Sequence, residues 1–391
     1  MTQNRNTGGR HGRPNWKQPA TRAVAAIVTG LLVLGAVFIV AHRDRFSLDA
    51  LKRYFVYRNL EKNDDGQTTE FNYAQDSTNA FASLDGTLLV CSDTSLQLYS
   101  NSGLQYIDEQ VKMTRPVITT CGTYAAAYDV GGNDLYLIHN KKIVQTYSSE
   151  SGCGLLNVRV NENGYFAVVE QTSGYKASVK VFDDRARPLL TENVSSDYVM
   201  DAIVSPSNRQ FAVVTIGQHD RKFDSTITLY DCQEGDRLHQ TTLEGQFVLD
   251  LNWKNNQLWV QERDGAAVLD GDLKVIGSWS EPSQYLQGYS LDGDDNAVEV
   301  FSWYKAGGSG EVLLIGSNGE ATVSKAISGQ VLSVSAAGRY IAVLTTDNLT
   351  IYTGNLTEYS TTENKGARRA IINSDGATML IGADSTRLYV P

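Results

Sequence analysis

The 391-residue chain is poor in the residues from which metal and catalytic sites are usually built. Its five histidines (His11, His42, His139, His219 and His239) are scattered, and none pairs with another at four-residue spacing around a glutamate. That excludes the helical zinc-hydrolase signature. Four cysteines, Cys91, Cys121, Cys153 and Cys232, lie far apart with no C-x-x-C. They permit two disulfides in any of three pairings, against the plainer reading of small apolar side chains in strands. The serine elbow G-x-S-x-G is absent, and His219-Asp220 beside Arg221 has no nucleophile motif with it. Asp292-Gly293-Asp294-Asp295-Asn296 resembles half of a calcium loop, but the position that needs a closing carboxylate is Trp303. No catalytic residue, metal or cofactor is expected from this inventory.

Positive charge is scarce too, except at one end. Residues 1–22 carry Arg5, Arg10, Arg13, Lys17 and Arg22 and no acid, leaving 29 basic against 44 acidic side chains beyond them, a net −15. Phosphate binding relies on clustered Lys and Arg, so nucleic acid is not an expected partner.

What the chain does contain begins with Ala23–Ala41, AVAAIVTGLLVLGAVFIVA, nineteen residues without a charge. As a helix this run is about 28 Å long, close to the ~30 Å hydrocarbon core of a bilayer. A cleaved signal peptide fits less well, because His42-Arg43-Asp44 stands where small cleavage-site residues belong. The basic tail 1–22 predicts a cytoplasmic N-terminus with the large domain outside the membrane, although Arg43, Arg45, Lys52, Arg53, Arg58 and Lys62 weaken that bias. The segment 42–67 reads as a juxtamembrane helix over 46–62, capped by Ser47, followed by a polar linker at 63–67. That helix is either a stalk or an interfacial helix touching lipid headgroups.

Beyond residue 62 helical periodicity is essentially missing. One rhythm repeats instead: a β-rich segment, a tight Gly/Asn/Asp turn, a continuous apolar strand, then two more strands. The turn recurs as Ser83-Leu84-Asp85-Gly86, Asn161-Glu162-Asn163-Gly164, Ser205-Pro206-Ser207-Asn208 and Ser374-Asp375-Gly376. Asn and Gly serve there because such turns need positive φ. First strands are expected to start near residues 79, 115, 154, 199, 247, 285, 330 and 367, a spacing typical of propeller blades. The predicted fold is all-β: a β-propeller over 68–391 of eight four-stranded blades, or seven if 247–284 merges with a neighbour. The last unit has three strands, and residues 68–74 are expected to supply its fourth.

Most turns are short, but three connections between second and third strands are longer: 171–177, 217–224 and 303–310. They hold the candidate binding residues Tyr175, Lys176, His219, Arg221, Lys222, Trp303, Tyr304 and Lys305 on one face of an acidic domain. Loops on a rigid scaffold carry binding, and Tyr, Trp and Arg are the side chains of protein interfaces. Trp253, Trp259 and Trp279 are read as packing between blades.

This combination resembles a family of bacterial membrane-anchored propeller proteins defined only as a domain of unknown function. The segments SLDGTLLV (83–90) and SPSNRQFAVV (205–214) look like repeats of WD40-like, TolB-type and quinoprotein-like propellers. The quinoprotein cofactor constellation is not found here, so the resemblance implies no cofactor. It implies a single-pass membrane protein. The longer loops are read as the binding face of an extracytoplasmic interaction scaffold that binds another envelope protein or a peptide. The alternative is a glycan- or small-ligand-binding module at the cell wall, with a weak lyase or hydrolase as its catalytic variant.

Overall fold

The structure is a computed structural model and describes residues 27–30, 33, 48–74, 78–219 and 221–391. The apolar run 23–41 lies mostly outside them. Residues 27–30 and 33 are helical, and among the described residues no helix is long and apolar enough to cross a membrane. The chain divides into two units, Met1–Tyr54 and Phe55–Pro391.

A ten-residue helix spans Leu48–Tyr57. Leu48, Leu51, Tyr54 and Phe55 are exposed on it, whereas Tyr57 is buried in a cluster with Tyr73, Leu88, Tyr99 and Leu388. The residues that follow form a tight turn rather than a free polar linker. Lys62 bridges to Thr68, and the Gln67 carbonyl accepts from the Asn63 amide at 2.9 Å. The Asn63 side chain closes the turn by accepting from the amides of Asp65 and Gln67.

The strands make eight four-stranded antiparallel sheets, the blades. Their first strands begin at Asn79, Pro116, Leu155, Tyr198, Val248, Tyr285, Val331 and Arg369. The segment around 247–284 is a complete blade of its own, Val248–Ser280, so the count is eight. In blade eight the outermost strand is Phe71–Asn72, paired with Thr386 and Ser385. The ring therefore closes by hydrogen bonding between its two ends, which leaves few free sheet edges.

The strand sequences follow from where each strand sits. Second strands are covered by neighbouring blades on both faces and read as unbroken apolar runs, such as Thr87–Ser92 and Phe166–Glu170, buried throughout. Outermost strands have one open face and alternate, as in Lys142–Ser148. Among the described residues, eight apolar clusters fill the spaces between and within the blades. One joins Ile203, Ala212 and Val214 of blade four to Val248, Leu251 and Leu258 of blade five. Trp253 and Trp259 are buried, and Trp279 packs edge-on against Phe301 at 5.4 Å. All four cysteines are free; Cys91 and Cys232 are buried, and burial pushes both thiols up to about 12.

The first turns have the geometry their sequence demands. Asp85 and Gly86 take φ of 47° and 73°, and Asn255 and Asn256 take 50° and 60°, the double positive φ of a tight hairpin. Side chains of these turns also tie blade to blade: Asn161 donates to the Ser205 carbonyl at 3.0 Å, and Ser83 to Asn373 at 2.7 Å.

Bulges recur in register. In blades three to seven the first strand carries one extra residue: Leu156, Met200, Leu249, Gln287 and Leu332 in turn. A bulge raises the local twist of the strand that carries it. Met200, Leu249 and Leu332 stand partly exposed on these innermost strands.

Candidate functional site

Antiparallel blades send their second-to-third-strand hairpins and their blade-to-blade connectors to one face, here the upper face. The candidate residues fall on the hairpins of blades three, four and six. In blade three, Tyr175 is 49 % exposed in the loop between Phe166–Glu170 and Ala177–Phe182. Lys176 reaches across to blade four: its ammonium lies 4.3 Å from the Tyr198 ring centroid and donates to the Tyr198 hydroxyl at 3.2 Å. In blade six, Trp303, Tyr304 and Lys305 are exposed in the loop before Gly310–Gly316. The Ser302 hydroxyl anchors that loop by accepting from the Tyr304 amide and donating to the Ser309 carbonyl, both at 3.2 Å.

Blade four differs from expectation. Residues 217–224 are not a loop. The second and third strands, Gln210–His219 and Lys222–Asp231, run ten residues each and pair as far as His219 with Lys222. The polar sequence GQHDRKFD hides a strand extension because its tip is exposed at Gln218 and at Arg221, Lys222 and Phe223, so no apolar pattern is required there. Arg221 sits in the tight turn at φ 67°, and Arg221, Lys222 and Phe223 are exposed. The His219 side chain and Asp220 lie outside the described residues. The structure thus brings Lys176 together with Tyr198, while blade five stands between these residues and the Trp303 loop.

A second constellation escaped the sequence reading. Arg159, Asp201 and Asp250 occupy the innermost strands of blades three, four and five. The Arg159 guanidinium donates to Asp201 at 2.7 and 3.1 Å and also pairs with Asp250. Burial works to lower the Arg159 pKa, but the two carboxylates outweigh it and hold the guanidinium charged. Burial raises the Asp201 carboxyl despite the opposing pull of Arg159. Next around the ring, burial and then the field of Asp250 raise both Tyr289 and Asp292. Lys254 is pushed down to about 8 by burial. Its ammonium donates to the carbonyls of Gly293 and Asn296 at 3.0 and 2.9 Å and lies 3.7 Å from the Trp259 ring centroid. The signal was available as a charged residue inside each apolar first strand, in VRV (158–160), DAIV (201–204) and DLNW (250–253). Separations of 42 and 91 residues hid the partnership. With its donors facing two carboxylates, Arg159 acts as a tie between blades rather than as a ligand-binding cation.

A third group is buried between blades five and six. Gln261 donates to Glu299 at 2.5 Å, and Glu299 is fully buried, its second carboxylate oxygen without a partner among the described residues. Burial pushes Glu299 up to about 7 even though Gln261 pulls it down. Glu262, one residue beyond Gln261, is likewise raised to about 7 by burial and then by Asp264.

Comparison with known proteins agrees with this architecture. A crystal structure of BamB from Moraxella catarrhalis superposes with a TM-score of 0.52 at 12% identity, over 83% of this chain and 99% of that one. The crystal structure of the C-terminal WD40 domain of Sif2 gives a TM-score of 0.60 at 10% identity, over 83% and 97%. At these identities the likeness concerns the fold. No curated protein sequence matches the chain. The matching stretch of the one family found starts at Tyr57, the helix residue buried in the propeller core, and ends at Leu388 in the closing blade: the chain belongs to a family of unknown function, DUF5711, over residues 57–388.

Proposed function

We propose that the protein is a protein-interaction scaffold, held at the cell membrane by residues 23–41 with its N-terminus in the cytoplasm and its propeller outside. The observation that carries this reading is the upper face. There the hairpins of blades three, four and six expose Tyr175, Phe223, Trp303 and Tyr304 beside Lys176, Arg221, Lys222 and Lys305. Rigid aromatics next to basic side chains are the composition of interface anchors. They stand on hairpins of a closed ring, which keeps their positions fixed before a partner arrives. The partner is another envelope protein or a peptide.

The rival reading, a glycan- or small-ligand-binding module, would draw on stacking tryptophans. Trp253 and Trp259 are buried and Trp279 is half-buried against Phe301, so Trp303 is the one of these four that stands exposed on a hairpin. In-cell crosslinking and identification of captured proteins tests the scaffold. The triple variant Tyr175→Ala, Arg221→Ala, Trp303→Ala should lose the main crosslinked partner, and an unchanged partner set would sink the upper-face reading. Protease treatment of intact cells should degrade the propeller; protection would overturn its external location.

A further inference from the structure

A cleft of about 280 Å³ opens between blades four and five. Thr242, Leu243 and Glu244, where blade four passes into its connector, form one wall, and Ser278 and Ser280 of blade five's outermost strand form the other. Glu262, the last residue of blade five's second strand, also lines it and is only 4% exposed. The connector and the end of a second strand both belong to the upper face, so the cleft lies between the hairpins of blades four and six.

No cation or hydrogen-bond donor among the described residues answers the Glu262 carboxylate. Its basic neighbour in sequence, Arg263, is engaged with Asp264 at 2.6 Å. Burial and the like charge of Asp264 are what act on Glu262. An ionised carboxylate buried without a partner is costly, and a cation delivered to it recovers that cost. The remaining lining suits the same guest. Leu243 is apolar, the hydroxyls of Thr242, Ser278 and Ser280 can accept hydrogen bonds, Glu244 adds a second carboxylate at the exposed rim, and the lining holds no basic side chain. A concave site with an apolar wall and a few convergent polar groups is the usual form of a ligand pocket.

We infer that this cleft binds an alkylammonium or alkylguanidinium group, the end of a Lys or Arg side chain that a partner presents to the upper face. The assignment to a partner's side chain rests on the scaffold reading above; the chemistry of the cleft does not. A free diamine carries the same group, so the test separates the two sources.

Calorimetric titration of the full-length protein in detergent would use N-acetyl-lysine methylamide, N-acetyl-arginine methylamide, putrescine and, as the uncharged control, N-acetyl-norleucine methylamide. The lysine or arginine derivative should bind and the norleucine derivative should not. Glu262→Gln should weaken binding by about tenfold or more, the worth of one charge-assisted contact. Glu244→Gln, at the exposed rim, should weaken it by about threefold. Glu262 is protonated below its raised pKa, so the wild type should bind more tightly at pH 8 than at pH 6. Glu299, raised to about 7 as well and within the field of Glu262, lies on the blade-six side, so Glu262→Gln should lose most of that difference. No binding of either derivative at pH 8, or undiminished binding by Glu262→Gln, overturns the cleft. Binding of putrescine with rejection of both derivatives overturns the partner-borne donor. The triple hairpin variant should leave these titrations unchanged, so failure of the scaffold appears in crosslinking and failure of the cleft appears here.

Discussion

Blades three to five are joined by Arg159, which meets two carboxylates, whereas the closing seam of blades seven and eight is joined by Arg387, which meets mostly neutral partners. Arg387 donates to the Gln67 side chain at 2.8 Å and to the Lys365 carbonyl at 3.0 Å, and pairs with Glu70 at 2.5 Å. Gln67 in turn donates to Thr362 at 3.0 Å, Ser360 and Tyr389 share a 2.5 Å hydroxyl contact, and Lys365 pairs with Asp65 at 2.7 Å. The contrast is physical. The closing seam is assembled from chain ends some 300 residues apart, and it is knit by many modest hydrogen bonds around a short turn. The interior seam concentrates its charge in one triad whose members cannot be removed singly without stranding the others. Buried ion pairs of this kind contribute little net stability but are costly to break.

Breaking each seam should expose that difference. Arg159→Met leaves Asp201 and Asp250 without their cation and should cost about 3–5 kcal/mol in denaturant unfolding. Replacing both aspartates with asparagine in the same background should recover a large part of that loss. Arg387→Met removes several hydrogen bonds but strands neutral groups and a half-exposed glutamate, so its cost should be smaller, about 2–3 kcal/mol. Its mark should be local. Hydrogen exchange should rise first at Phe71–Asn72 and in blade eight, and protection retained there would contradict the seam's role in closure.

The buried carboxylates sharpen the comparison in the opposite direction. Glu299 is raised to about 7 from the ordinary 4.5, so its contribution is intact at acid pH and is lost as pH climbs from about 4.5 through 7. Glu299→Gln should therefore stabilise the domain at pH 8 by on the order of 2 kcal/mol and flatten the pH dependence across that window. Equal thermal unfolding of variant and wild type at pH 8 would refute the buried-acid account. At the bottom of the scale, Asp65→Asn in the exposed pair with Lys365 should change stability by about 0.5 kcal/mol or less.

Much of the blade architecture was legible because its signals are local. The starts expected near 79, 115, 154, 199, 247, 285, 330 and 367 fall within two residues of the observed first strands. Each is announced by the tight turn that follows it and by the unbroken apolar run of the second strand. The hairpin of blade four was not legible: an uncovered strand extension has no burial pattern to betray it. The turn at 62–68 was missed for a related reason. Asn63, Asp64, Asp65 and Gly66 look like any solvated linker, and only the distant Thr362, Lys365 and Arg387 show what Asp65 and Gln67 are for.

By itself, then, the sequence determined the repeat, the strand classes and the exposed aromatic hairpins at Tyr175 and Trp303. These depend on backbone conformation and on burial, which neighbouring residues encode. Tertiary structure alone decided which charges meet: Arg159 with Asp201 and Asp250, and Gln261 with Glu299. Those pairings join different blades, and the distance between two side chains across a seam is set by the closure of the ring, which no local pattern records.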